Sequence, residues 1–120
     1  MIFLSDKRKY GNKTAGKYLA AERMKVIMEL EELRKKLDAI DAQLTALTEQ
    51  RLNICEQVAE YKILHGRPVL DAERERQKIQ SVRALVTDER YQDAVEHLFT
   101  QIMADSRALQ TELMKGKQSE

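Results

Sequence analysis

Leu44-Thr45-Ala46-Leu47-Thr48-Glu49-Gln50-Arg51-Leu52-Asn53-Ile54-Cys55-Glu56-Gln57-Val58 is the stretch that decides the fold. Its apolar residues recur at alternating steps of three and four, the period that keeps side chains on one face of an α-helix. The same steps extend back through Ile40, Leu37, Leu33 and Leu30, and forward from Val58 to Tyr61. Arg51 stands in this seam at a position due for an apolar residue. A guanidinium stays charged at any working pH, and burying it unpaired costs several kcal/mol. It therefore needs an anion to face, either a Glu or Asp of another helix or a ligand.

The seam predicts a helix from about Ala20–Glu22 to Leu64, roughly 60 Å long at 1.5 Å per residue. His65-Gly66-Arg67-Pro68 is its stop, with His65 placed where an imidazole caps carbonyls. Asp71 reads as the N-cap of a second helix, which presents Glu75, Ile79, Val82 and Val86 on one face. Thr87-Asp88-Glu89 predicts a break. A third helix, from about Tyr91 to Met114, presents Val95, Leu98, Ile102, Leu109 and Leu113, with Phe99, Met103, Ser106 and Gln110 on an adjoining stripe. The fold class expected is all-α, three helices per chain with one very long. The second and third helices, about 24 and 36 Å long, leave part of the seam uncovered. An intertwined helical homodimer is the simplest way to bury it. Residues 1–20 read as a flexible basic arm, 21–115 as the helical domain and 116–120 as a tail.

Composition agrees with that class: 34% charged, 5% aromatic, no Trp, one Pro and four Gly, a mixture that suits helices better than sheets. Net charge is +1, unevenly spread. Lys7, Arg8, Lys9, Lys13, Lys17, Arg23 and Lys25 face only Asp6 and Glu22 in the first 26 residues. A basic arm suits nucleic acid, but here only Tyr10 and Tyr18 are interleaved with its basic residues and no known module is matched, so nucleic acid is not an expected partner. The single Cys55 excludes an intrachain disulfide and fits a reducing compartment. No apolar run approaches the roughly 20 residues of a membrane span. Met1-Ile2-Phe3-Leu4 is too short for a signal peptide and precedes its basic cluster. A cytoplasmic protein is expected. A Gly-rich phosphate loop, His/Cys metal spacing and Ser-His-Asp or Cys-His pairing are all missing, so the expectation is no cofactor, no metal and no covalent chemistry.

The polar residues converge. Arg51, Cys55, Val58 and Lys62 are spaced 4, 3 and 4, one stripe of the first helix with a cation at each end, about 16 Å apart. Arg34 and Asp41, one heptad apart, flank the seam further up. The second helix offers Asp71, Arg74, Glu75 and Lys78 in its first two turns, with Glu75 on the inward line. Ser106 and Gln110 form an i, i+4 pair on the third. Together they describe a pocket for a small polycarboxylate.

These residues resemble the all-helical class of chorismate mutases. The likeness covers roughly Glu29 to Leu113 and rests on Leu33-Arg34-Lys35-Lys36-Leu37-Asp38-Ala39-Ile40-Asp41, then Arg51, Lys62, Arg67-Pro68-Val69, Asp71, Arg74-Glu75-Arg76, and Asp105-Ser106 with Gln110. Spacings from Arg34 to Arg76 agree without a gap; the third-helix motif fits after a change of about one residue in the preceding loop. The resemblance implies rearrangement of chorismate to prephenate, a unimolecular reaction needing no nucleophile or metal. It implies that Arg34, reaching across from the other subunit, and Arg51 grip the two carboxylates. Lys62 would bond a carboxylate and the ether oxygen, and Gln110 would donate to that oxygen from the other side. Glu75, with the backbone near Asp71, would take the ring hydroxyl; Arg74 would support the cluster and Ser106 would contact a carboxylate. Cys55 and Val58 would form the apolar wall. Two alternatives share some of these features: a sister enzyme eliminating pyruvate from isochorismate, and a helical dimerisation module.

Overall fold

The structure, a computed structural model, describes residues 16–118, with side chains described for 19–116, so residues 1–15 of the arm expected over 1–20 and the last two residues lie outside the described residues. It is all-α, as expected. Helix α1 runs Gly16–Leu64, α2 Ala72–Leu85 and α3 Gln92–Gln118, with a 3₁₀ turn at Glu89–Tyr91 before α3. The chain divides into two compact units, residues 1–46 and 47–120.

In the first unit α1 begins at Gly16, earlier than the seam predicts. Residues 17–21 are mostly good helix formers that cost little to include in a helix once propagation is under way. Arg34 bonds Glu31 at 3.0 Å and Lys35 bonds Glu32 at 3.4 Å, all within the same helix. Such exposed i, i+3 pairs support a helix by a few tenths of a kcal/mol. The apolar residues are open to solvent, with Leu33, Leu37 and Ile40 at 55, 58 and 51% exposure.

In the second unit α1 ends in a Schellman motif. Gly66 adopts φ +64°, the left-handed conformation that favours glycine. Arg67 N–H donates to Lys62 O at 2.8 Å and Gly66 N–H to Ile63 O at 3.4 Å, satisfying carbonyls the helix leaves open. His65 Nδ1 lies 2.8 Å from Tyr61 O, the carbonyl capping its position predicts. Asp71 caps α2 as expected, its Oδ1 accepting from Arg74 N–H at 3.0 Å. Val82 is buried on α2, and Glu75, Ile79 and Val86 are half-buried beside it.

Arg83 joins the end of α2 to the start of α3. Its Nη1 donates to Asp93 at 2.9 Å and to Glu96 at 3.4 Å, while Gln92 Nε2 donates to Arg83 O at 3.2 Å. The predicted break is where the chain turns: Asp88 caps the 3₁₀ turn, accepting from Arg90 N–H at 3.0 Å. One expectation shifts on α3. The stripe of Met103, Ser106 and Gln110 is its buried face, while Leu98, assigned to the main apolar face, is 50% exposed. Two polar side chains are buried because each has partners there. With Cys55, Ala59, Val82 and Met103 they make up the buried set among the described residues, so in this unit the core and the polar cluster are the same place.

Candidate active site

A cavity of about 310 Å³ opens inside the second unit. The α1 face supplies Arg51, Ile54, Cys55, Val58 and Lys62; Val69 and Asp71 come from the connection; α2 supplies Arg74, Glu75 and Lys78; α3 supplies Met103, Ser106, Arg107 and Gln110. Every candidate residue named from the sequence is therefore brought to one cavity, except Arg34 and the Asp41 named beside it. Arg34 is 60% exposed and bonded to Glu31, and it is not among the lining residues.

Lys62 is held twice by the turn that ends its own helix. Its carbonyl accepts from Arg67, and its ammonium donates to Val69 O at 2.7 Å. The same ammonium donates to Gln110 Oε1 at 2.9 Å. A lysine has three donors and no acceptor, so the Gln110 carbonyl has to face it and the Gln110 amide NH₂ has to face away. That NH₂ donates to Ser106 Oγ at 3.1 Å. Ser106 in turn donates to Cys55 Sγ at 2.9 Å, which also accepts from Arg51 Nη1 at 3.7 Å.

The result is a directed chain of donors from Lys62 through Gln110 and Ser106 to the thiol, with Arg51 closing it from the far end. It fixes side-chain orientation along the cavity floor. One N–H of Lys62 and one of the Gln110 amide are left over after these bonds, by the donor inventory of each group.

Across the cavity, Glu75 Oε2 lies 3.1 Å from Arg107 Nε. The lining thus carries five basic side chains, Arg51, Lys62, Arg74, Lys78 and Arg107, against two carboxylates, Asp71 and Glu75. That surplus of positive charge in a small, partly dry volume favours an anion of more than one charge. Among the described residues, no three His, Cys, Asp or Glu side chains gather where they would hold a metal ion.

Sequence reasoning did not assign Arg107 a place, and it named Lys78 on α2 without selecting it. The signal for Arg107 was available: Met103, Arg107 and Gln110 are spaced 4 and 3, so a cation sits on the stripe that carries the buried polar pair. Ile54 and Met103 complete the apolar lining.

The family model described as chorismate mutase type II matches residues 33–111. That span holds every candidate residue from Arg34 to Gln110. Among curated proteins, the chain is similar to one from Methanocaldococcus jannaschii called chorismate mutase. The two are 30% identical over 95 residues, covering 78% of this chain and 96% of the relative. No solved structure matches the chain at a significant level.

Proposed function

Because the chain belongs to the chorismate mutase type II family, we propose that it rearranges chorismate to prephenate and that the product feeds phenylalanine and tyrosine biosynthesis. The observation that carries the reading is the 2.9 Å contact between Lys62 and Gln110. Two side chains from helices far apart in sequence meet in a cation-rich cavity, and each keeps an N–H for a ligand atom.

The reaction breaks an ether bond and forms a carbon–carbon bond within one molecule. The protein has to hold a flexible dianion in its compact reactive shape. It also has to stabilise the negative charge that builds on the ether oxygen. Arg51 grips one carboxylate. Lys62, fixed by Val69 and Gln110, shares its one remaining N–H between a carboxylate and the ether oxygen, and Gln110 donates to that oxygen with its second amide N–H. Glu75 and the backbone near Asp71 take the ring hydroxyl, Ser106 contacts a carboxylate and Arg74 supports the cluster. Cys55 and Val58 form the wall beneath the ring. Because the donor chain is assembled before ligand arrives, little reorganisation is needed as charge develops.

The active unit in this reading is a homodimer, with Arg34 of the partner subunit supplying the second carboxylate grip. The support is the exposed apolar row on α1, including Leu33, Leu37, Ile40 and Leu47 at 55, 58, 51 and 58% exposure. A contiguous row of that kind marks an interface, and a second copy offers the same row.

Purified protein mixed with chorismate tests the reading, with the product identified by chromatography and mass. Prephenate is expected. Salicylate and pyruvate from isochorismate, with no prephenate from chorismate, would overturn it in favour of the lyase.

A further inference from the structure

Arg107 lines the cavity, yet the rearrangement as described makes no use of it. It follows Ser106 directly and precedes Gln110 by three residues, so α3 aims it at the same space. Its Nε is closed off from solvent and has no aligned hydrogen-bond acceptor. A buried N–H without a partner is rare in folded proteins. The acceptor at hand is Glu75 Oε2, 3.1 Å away on α2, and a small turn of that carboxylate aligns it.

The arithmetic of lone pairs makes this pairing useful. A carboxylate has two oxygens and is an acceptor only. With Oε2 committed to Arg107, Oε1 is the atom left to face a ligand, and it presents a fixed direction. Charge points the same way. A bare carboxylate in a site for a dianion repels it, and the guanidinium beside it cancels that repulsion locally. Glu75 and Arg107 side chains are 24 and 38% exposed, so the pair sits at the cavity edge, where ordering a mobile acid matters more than burying it.

We propose that Arg107 is a positioning residue that acts through Glu75: it holds the carboxylate from across the cavity, so that one oxygen is presented to the ligand with its charge offset. The part Glu75 plays toward substrate rests on the mutase reading; the hold of Arg107 on Glu75 does not.

The test is a double-mutant cycle on the full chain, with R107M, E75Q and the double variant assayed on chorismate. R107M is expected to lose roughly ten- to a hundredfold in kcat/KM, the range for truncating one member of a paired charge. In the E75Q background the same change is expected to cost less than about twofold, since an interaction removed once cannot be removed again. R107K is expected to recover most of the loss. An equal loss in both backgrounds, carried by KM with kcat unchanged, overturns the proposal and makes Arg107 a direct carboxylate grip.

A second readout needs no turnover. In ligand-free protein, three-bond NMR couplings are expected to show one Glu75 rotamer in wild type and R107K, and rotamer averaging in R107M and R107Q. A Glu75 that keeps one rotamer without Arg107 overturns the proposal. Wild type that fails to convert chorismate counts against the mutase reading alone, because the couplings still decide the pairing.

Discussion

In residues 16–46, Arg34 and Lys35 pair with Glu31 and Glu32 three positions away on the same helix. In residues 47–118, local pairs such as Arg76 with Glu73 recur, but other charged side chains reach far along the chain, Lys62 to Gln110 and Arg107 to Glu75. The first kind of pair needs only the helix itself to form, and it adds little because ordering two exposed side chains offsets most of the attraction. The second kind needs several helices to be placed correctly, and the ordering it imposes is what a binding site requires. Both stretches have a helical seam. Only the second interrupts it with a cation, Arg51, and that cation lines a cavity shared by three helices, whereas the first leaves its apolar row exposed, the row proposed above to meet a second copy.

Putting a charge into the uninterrupted stretch is expected to have the largest effect. Leu37→Glu buries a carboxylate in the proposed interface, once per copy. At several kcal/mol for each unpaired charge, the dimer dissociation constant should rise at least about a thousandfold. Sedimentation should then show monomer, with activity lost. A Leu37→Glu protein that stays dimeric and active would place the interface elsewhere.

Mixing the two regions is the next test. Arg34→Ala and Arg51→Ala proteins should each be crippled, by roughly 2–5 kcal/mol for losing one side of a buried charge contact. Co-refolded in equal amounts, they should regain about a quarter of wild-type activity, since half the dimers carry one intact site. No recovery in a demonstrated heterodimer would separate Arg34 from the site.

Gln110→Glu probes the donor chain. An ionised carboxylate still accepts from Lys62, but it can donate neither to Ser106 nor to an ether oxygen. The expected loss at neutral pH is about 10²–10³ in rate, recovering as the new carboxyl protonates in acid. Rates measured from pH 7 downward decide it; full activity at neutral pH would turn Gln110 away from the breaking bond.

Gly66→Ala tests the turn that anchors Lys62. The space around Gly66 is open, so the cost comes from the left-handed backbone and should be roughly 1–2 kcal/mol of stability, read as a lower denaturant midpoint.

Asp88→Asn should have the smallest effect, visible only in its pH dependence. The Arg90 side chain, and then its backbone N–H, hold the Asp88 carboxyl below its ordinary value. The folded state thus binds that proton less readily than the unfolded chain. The stability this confers is present above the unfolded carboxylate range and is lost as pH falls through the depressed folded value. Asn also caps, so wild type should exceed the variant slightly at neutral pH and converge with it in acid, as melting temperature against pH will show.

The sequence was most legible where a single residue type has few uses. The His65-Gly66-Arg67-Pro68 stop is an example: a glycine after a long helix and a proline soon after leave little but a left-handed cap. The cavity was legible for a similar reason, because Arg51 in an apolar row demands an anion. Arg107 was harder. An arginine on a helix with acids nearby reads as surface, and only the approach of α2 brings Glu75 to it. The face of α3 was misjudged at Leu98 because periodicity gives stripes and not which stripe is covered. What covered it was decided by Ser106 and Gln110 finding partners on α1.

Lys62 ends a helix and faces a ligand cavity at once, and Arg51 lies eleven residues before it on that helix. At 3.6 residues per turn, eleven is close to three whole turns. Adding or deleting one residue between them would swing one cation about 100° away from the other and carry the terminal turn with it. Point changes in this stretch alter one contact; a change of length would dismantle the cavity. The connection between α2 and α3 is under no such rule, since the 3₁₀ turn at Glu89–Tyr91 can absorb a residue without rotating Ser106 against Gln110. Descendants of this chain should therefore vary in length at that connection and keep the count from Arg51 to Lys62 fixed.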